Sequence, residues 1–179
     1  MMVVRKRLKG VFSIRRHFIM ELPLASVEGS LPSGLKFSLA ESSADVIDGT
    51  YGRAIQLALM RKNGSLCEQY IMRNEQAAIV GTLSLMYRGG NELEYRIRNI
   101  DAFVYNLAVL PEWRGRGYAG AMITSLASVL RPKGIDSIYL AVSEDNAAAI
   151  HAYNKVGFET VCKKMFVRTF KLNIPYYAL

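Results

Sequence analysis

Arginines and glycines alternate over Arg114–Gly120, which reads Arg-Gly-Arg-Gly-Tyr-Ala-Gly. An apolar run that ends at Pro111 precedes this segment and a helical pattern follows it, so the segment sits at the N-terminus of a helix. The first amides of a helix have no intrahelical acceptor, and the helix dipole adds roughly half a positive charge there. Glycine lets the backbone approach a ligand without a Cβ in the way, and Arg114 and Arg116 add side-chain charge. This arrangement predicts a binding site for phosphate groups.

Gly115, Gly117 and Gly120 also satisfy the G-x-G-x-x-G pattern of dinucleotide-binding domains. That fold places the first glycine directly after its first strand and an acidic residue about 20 residues later, where it binds ribose. Here four residues separate the strand from the glycines, Glu144 comes too late, and the motif lies far from the start of the chain. The glycines therefore do not indicate a dinucleotide fold.

A second group of residues follows at helical spacing and carries the expected helix caps: Asn146, Ala149, Tyr153, Gly157 and Phe158. The pattern Arg114-x-x-Gly117-x-Ala119, placed after Leu107–Pro111, resembles the acetyl-coenzyme A signature of the Gcn5-related N-acetyltransferase (GNAT) family. The second group resembles the later helix of the same family, which ends in a Gly-Phe pair. The resemblance is clear over Ala77–Phe170 and fainter before it.

This resemblance implies that the chain uses acetyl-coenzyme A as co-substrate and needs no metal. In the family pattern, the backbone of Leu107 and Val109 pairs with the pantetheine arm and the loop Arg114–Ala119 holds the pyrophosphate. A splay between this strand and the next, Ser137–Val142, would leave the slot for the coenzyme. The residues expected to contact it are Leu107, Ala108, Val109, Arg114, Gly115, Arg116, Gly117, Tyr118, Ala119 and Asn146.

The resemblance also implies direct attack of a primary amine on the thioester. A backbone N–H near Val109 would stabilise the oxyanion, and Tyr153 would protonate the departing thiolate. Some family members keep a glutamate base four residues before the position of Leu107, where this chain has Phe103. Asp101 and Tyr105 share the face of Phe103 by strand alternation. Either is a candidate base, directly or through water, and a purely structural role is the alternative for each.

The missing glutamate favours an acceptor amine of modest pKa. Deprotonating an alkylamine of pKa about 10 at pH 7 costs roughly 4 kcal/mol, against about 1 kcal/mol for an α-amino group near 8. We therefore expect a peptide N-terminus, an amino acid or an amino sugar as acceptor. The alternative function is a catalytically degenerate regulatory module that binds coenzyme A or RNA.

Hydrophobic patterns predict the elements that position these groups. Stretches rich in β-branched and aromatic residues predict strands at 35–40, 67–73, 77–87, 94–110, 137–142 and 160–170. Helical spacing predicts helices at 45–60, from Tyr118 to just before Pro132, and from Asn146 to Gly157. The predicted fold is α/β (α+β): one GNAT-like domain with a mixed, mostly antiparallel sheet, flanked by helices and splayed at the acetyl-coenzyme A site.

Length and composition fit a single domain, with 179 residues of which 51% are apolar. No apolar run approaches the roughly 18 residues that a membrane-spanning helix needs. Cys67 and Cys162 lie far apart, with no further Cys or His near either at metal-ligand spacing. These features predict a reduced, cytoplasmic and metal-free protein.

The formal net charge is +8, and six of the positive charges lie in the first twenty residues. The remaining body is only mildly basic, which does not favour a nucleic-acid partner and fits an anionic coenzyme equally well. Residues 1–30 are expected to form a basic, extended arm that belongs to the same domain as the acetyltransferase region 31–179. The arm would cover the acceptor side or meet the second subunit of a homodimer.

Overall fold

The structure, a computed structural model, describes residues 12–40, 67–87, 101–169 and 175–177. Two helices lie in this part of the chain, α1 (Tyr118–Leu130) and α2 (Ala147–Val156), and short 3₁₀ turns follow β1, β5 and α1. The strands of the described part are β1 Phe12–Pro23, β2 Lys36–Leu39, β3 Cys67–Arg73, β4 Ile79–Tyr87, β5 Asp101–Val109, β6 Ser137–Ser143, β7 Glu159–Thr169 and β8 Pro175–Tyr177.

The strands form one sheet in the order β2-β3-β4-β5-β6-β1-β7-β8. Neighbours from β2 to β5 run antiparallel, as the predicted meander requires. β5 and β6 are parallel and are joined through α1, because parallel neighbours need a crossover connection. Every other neighbouring pair is antiparallel. The prediction of a mixed, mostly antiparallel sheet with helices is confirmed.

Residues Phe12–Pro23 of the predicted N-terminal arm form the inner strand β1, which lies between β6 and β7. Phe18 pairs with Val142 of β6 on one side and with Lys163 of β7 on the other. Met20 and Leu22 are fully buried. These side chains of β1 are therefore part of the core.

α1 packs one apolar face against the sheet. Its buried residues recur at helical spacing and have no exposed surface: Met122, Ile123, Leu126, Ala127 and Leu130. Just after the helix, the Arg131 guanidinium donates to the carbonyl of Leu24 at 2.7 and 2.9 Å and also to that of Val27. These bonds tie the end of α1 to the chain that follows β1.

A hydrogen-bonded cluster ties β3 and β4 to the turn after α1. Tyr70 and Tyr87 donate to the Glu68 carboxylate at 2.5 and 2.6 Å, and Lys133 donates to it at 3.2 Å. Burial by itself would raise the pKa of Glu68, but these three hydrogen bonds outweigh it and lower the pKa below its usual value. Burial and the bond to the carboxylate raise the pKa of both tyrosines. The cluster, which we call the Glu68 cluster, is thus an ion pair with two neutral donors.

The observed strand and helix ends agree with the predicted ones to within one or two residues wherever both ends are described. The predicted helix at 45–60, and residues 94–100 of the long predicted strand, lie outside the described residues. Ala77 is not in a strand as predicted: its φ is +61°, and its N–H donates to the Asn74 carbonyl at 3.0 Å in the turn between β3 and β4. Pro175 begins β8.

Candidate active site

The sheet opens between β5 and β6. Their pairing ends at Val104 and Leu140, although β5 continues to Val109 and β6 to Ser143. A cavity of about 250 Å³ lies where the strands part. Its walls come from β5, β6 and the start and middle of α2: Val104, Asn106, Leu107, Ala108, Leu140, Ala141, Val142, Ser143, Asn146 and Tyr153. The predicted splay is therefore present in the sheet.

A β-bulge interrupts β5 at the same place. Thr82 pairs with Ala108, but Ser84 pairs with Tyr105, so that Asn106 and Leu107 together lie opposite Leu83. Asn106 has a φ of +52°, in the left-handed region that few residues other than glycine adopt. A bulge bends its strand and increases the local twist, and here it coincides with the departure of β5 from β6.

The backbone of Val109 faces the slot. The N–H of Leu110 donates to the carbonyl of Val80 on β4 at 3.0 Å. Because successive peptide groups of a strand point in opposite directions, the N–H of Val109 points away from β4, toward β6. Arg114 folds back so that its Nε donates to the Val109 carbonyl at 3.0 Å. This contact fixes Arg114 against the end of the strand.

The loop after β5 turns into α1 through two glycines with left-handed backbone. Gly115 has a φ of +76° and Gly117 a φ of +79°, and a Cβ at either would meet no atom within 4 Å. Glycine is therefore favoured at both positions by the positive φ and not by a lack of space for a side chain. Gly117 caps α1 without a side chain, and the first intrahelical bond runs from Ala121 to its carbonyl. The amides of residues 118–120 thus have no intrahelical acceptor and are open to an anion.

Arg116 is held above the same loop. Its guanidinium lies 4.9 Å from the centre of the Trp113 ring, and it donates to the Glu112 carbonyl at 3.3 Å. The Trp113 ring in turn packs 6.2 Å from that of Tyr118. Both arginines of the loop are therefore oriented by contacts of their own, which reduces the entropy that an anion must remove on binding.

Asn146 begins α2 as its N-cap. Its side-chain oxygen accepts from the N–H of Ala149 at 3.2 Å, which leaves the amide NH₂ group outside the cap interaction. The helix ends at Gly157, with a φ of +106°, and the N–H of Phe158 donates to the Tyr153 carbonyl at 3.1 Å. The Gly-Phe pair of the sequence motif therefore closes the helix that carries Tyr153.

Tyr153 projects from α2 into the cavity wall and packs against buried Phe158, with ring centres 5.6 Å apart. Burial raises the pKa of the Tyr153 hydroxyl. The hydroxyl is consequently protonated at neutral pH, as a proton donor must be. His151, two residues before Tyr153 on α2, is exposed.

The structure places four of the predicted site residues in the cavity wall: Leu107, Ala108, Asn146 and Tyr153. Arg114–Ala119 form the loop that follows β5 and the first residues of α1. Asp101 does not lie there: it is fully buried at the first position of β5, five residues and roughly 17 Å along the strand from Asn106. The structure does not describe the side chain of Tyr105.

Two further residues were missed in the sequence. Asn106 was read as part of a strand, although asparagine is depleted in strands and tolerates left-handed backbone, which is a signal for a bulge. Trp113 was read only as part of the connecting segment. An aromatic residue three positions before an arginine, in a loop that precedes a helix, could have suggested the observed stacking.

Within the described residues, no helix is long and apolar enough to cross a membrane. In the same part of the chain, no group of three or more His, Cys, Asp or Glu side chains is placed to hold a metal ion.

Comparison with curated proteins gives partial matches to acetyltransferases. An acetyltransferase of Pectobacterium atrosepticum is 47% identical over 57 residues, which are 32% of this chain and 40% of that protein. One of Yersinia enterocolitica is 31% identical over 105 residues, 59% of this chain and 67% of that protein. A ribosomal protein bS18-alanine N-acetyltransferase of Haemophilus ducreyi is 36% identical over 61 residues, 34% of this chain and 42% of that protein.

Among solved structures, a GCN5-related N-acetyltransferase from Sphaerobacter thermophilus matches 97% of this chain and 58% of its own, with a TM-score of 0.64 and 17% identity. At that identity the match shows a common fold. The model of the acetyltransferase (GNAT) family matches residues 39–158, a range that runs from the end of β2 to Phe158 and contains the opening between β5 and β6. Since this match covers more than half of the chain and the fold agrees, the chain belongs to the GNAT family of acetyltransferases.

Proposed function

We propose that the protein transfers an acetyl group from acetyl-coenzyme A to a primary amine. The observation that carries this proposal is the cavity at the opening of β5 and β6. It combines a protonated tyrosine hydroxyl, a strand edge without a β partner among the described strands, and a nearby helix N-terminus with two oriented arginines. A thioester with a long amide-containing arm and a pyrophosphate matches this sequence of environments.

The residues present fit acetyl-coenzyme A in both its polar parts. The amide groups of the pantetheine arm can pair with the backbone of Leu107 and Val109, as an added strand pairs with a sheet edge. The pyrophosphate can accept from the amides at the start of α1, between Arg114 and Arg116. Asn146 has an NH₂ group to offer at the other wall of the cavity.

In the proposed reaction, the acceptor nitrogen attacks the carbonyl carbon and the carbonyl oxygen becomes negatively charged. The Val109 N–H, which points toward the slot, donates to that oxygen. When the carbon–sulfur bond breaks, Tyr153 gives its proton to the thiolate and regains one from solvent. The acceptor nitrogen loses a proton to a base or to water.

For the base, we retain Tyr105 before Asp101. Tyr105 directly follows Val104, the last residue of β5 that pairs with β6, and precedes the bulge at Asn106 and Leu107. Asp101 would act only through intervening groups or water, because it lies at the far end of β5. With Phe103 in place of a carboxylate, an acceptor of modest pKa is favoured: a peptide N-terminus, an amino acid or an amino sugar. The relative named for an alanine of a ribosomal protein supports the peptide class.

We also propose that the protein works in the cytoplasm, since its two cysteines carry no pattern of a secreted disulfide protein. We also propose that the protein forms a homodimer. Analytical ultracentrifugation tests this, and a monomer at all concentrations would refute the homodimer.

Calorimetric titration of acetyl-coenzyme A into the folded protein tests the first step, with acetyl-pantetheine as the matched ligand that lacks the pyrophosphate. We expect micromolar binding of acetyl-coenzyme A and much weaker binding of acetyl-pantetheine. A thiol-release assay over peptides, amino acids, amino sugars and polyamines then identifies the acceptor class. Absence of heat from a folded sample refutes donor binding, and a polyamine as the best acceptor refutes the assignment of a modest pKa.

The same experiments distinguish the active acetyltransferase from the catalytically degenerate alternative. Coenzyme binding without thiol release for any amine would support a regulatory module. RNA binding that weakens steeply with salt would support the RNA-binding form of that alternative.

A further inference from the structure

Asn106 carries a polar side-chain group for which the described part of the fold offers no partner. Its side-chain nitrogen is buried and has no hydrogen-bond acceptor among the described residues. Buried amide groups are nearly always paired, so an unpaired one indicates either a strained fold or a group reserved for a ligand. The residue also lines the cavity between β5 and β6, opposite the helix that carries Tyr153.

The backbone conformation at position 106 does not by itself explain why the residue is asparagine. Asparagine tolerates the observed φ of +52°, which the bulge imposes. Glycine would satisfy the same backbone with less strain and would leave no buried NH₂ group. The side-chain amide therefore needs an explanation of its own, and the cavity beside it supplies one.

We propose that Asn106 contacts the substrate, with its side-chain amide donating a hydrogen bond to the thioester carbonyl oxygen of the bound acetyl donor. This inference rests on the proposed function and adds a donor to it. Rotation about the Cβ–Cγ bond exchanges the two ends of the amide, so the NH₂ group can turn to the cavity without movement of the backbone. A ligand carbonyl in the slot then satisfies the buried donor.

The chemistry gives this donor its greatest effect in the transition state. As the amine attacks, a carbon–nitrogen bond forms and the electron pair of the carbonyl π bond moves onto oxygen, where hydrogen bonds become charge-assisted. When that pair re-forms the carbonyl, the carbon–sulfur bond breaks and sulfur takes the proton of Tyr153. Asn106 neither gains nor loses a proton. It would act together with the N–H of Val109, which lies three residues further along β5.

Two substitutions separate the side chain from the backbone. Asn106→Gly keeps the left-handed conformation and removes the amide. Asn106→Asp keeps the size and the tolerance of positive φ but replaces a donor by a negative acceptor. We expect kcat to fall about 100-fold in both, as for loss of one oxyanion donor, with the Kd for acetyl-coenzyme A within about threefold of wild type because the contact strengthens only in the transition state.

Asn74→Asp is the matched control, since its retained side-chain oxygen still accepts from the Ala78 N–H in the turn between β3 and β4. Its kcat should equal that of wild type. Wild-type kcat in Asn106→Gly would overturn the proposal, and if that variant fails to fold, wild-type kcat in Asn106→Asp does so. Equal loss of affinity for coenzyme A and acetyl-coenzyme A with kcat unchanged would also overturn it. Failure of the proposed function is distinct, because wild type itself would then bind no acetyl donor or release no thiol.

Discussion

Replacement of Tyr153 by phenylalanine removes one hydroxyl from the cavity and keeps the ring that packs 5.6 Å from Phe158. The hydroxyl has a raised pKa because it is buried, so it is protonated throughout the neutral range. General acids contribute about 10²–10⁴ in rate. A coenzyme thiol of pKa about 8.5 is a fair leaving group without help. We therefore expect a loss near the lower end, about 100-fold in kcat or roughly 2.7 kcal/mol.

The assay is thiol release at saturating acetyl-coenzyme A and the best acceptor, together with calorimetric Kd values and thermal unfolding. Tyr153→Phe should keep the wild-type Kd and melting temperature. Tyr70→Phe is the matched control: it removes a hydroxyl that donates to Glu68 at 2.5 Å, outside the cavity, so stability should fall while kcat stays unchanged.

The pH profile provides a second readout. Since the pKa of Tyr153 is raised above its usual value of 10, loss of its proton cannot lower the rate below pH 10. The wild-type rate should rise with pH as the acceptor amine loses its proton, without a falling limb before pH 10. A wild-type kcat in Tyr153→Phe would remove Tyr153 from the role of general acid.

Three further substitutions test the scaffold of the site. Hydrogen bonds lower the pKa of Glu68 in the folded state, so its carboxylate stabilises the fold above its ordinary pKa of 4.5 and loses that contribution as pH falls through the lower folded value. The unfolding free energy of Glu68→Gln, measured in urea, should therefore fall less steeply with decreasing pH than that of wild type. An identical pH dependence would contradict the lowered pKa. Gly81→Ala would place a Cβ 2.8 Å from the Met122 sulfur and 2.9 Å from the Ala108 carbonyl oxygen. We therefore expect the unfolding free energy to fall by about 1–3 kcal/mol. Unchanged stability would contradict the close approach of β4 and α1. In Gly117→Ala the new Cβ meets no atom, but the residue must keep a φ of +79°. We expect a loss of about 1 kcal/mol in stability and severalfold weaker binding of acetyl-coenzyme A. Unchanged affinity by calorimetry would show that the left-handed conformation of Gly117 does not contribute to the proposed phosphate site.

Local interactions made the loop Arg114–Ala119 and the second helix predictable from sequence. Gly117 sits at a left-handed cap, Asn146 accepts from the N–H of Ala149, and Gly157 ends α2 with Phe158 behind it. Each of these features depends on residues a few positions apart. The residue types therefore indicate the conformation without knowledge of the rest of the chain.

The bulge and the placement of β1 could not be predicted in the same way. The richness of residues 94–110 in β-branched and aromatic side chains predicted the strand that contains Val109, but this composition does not tell which residue lies opposite Leu83 on the neighbouring strand. Residues 12–23 were expected to be extended, which they are, yet their position between β6 and β7 depends on strands more than a hundred residues away in the chain.

The sequence by itself thus determined the parts of the site that short-range hydrogen bonding and backbone preference dictate: the loop Arg114–Ala119 and the helix that carries Tyr153. Only the tertiary structure decided where β5 parts from β6, that Asp101 lies away from the cavity, and that the side-chain nitrogen of Asn106 has no partner among the described residues. The reason is that strand pairing joins residues distant in the chain. Whether a backbone or side-chain group finds a partner depends on those neighbours rather than on its own sequence.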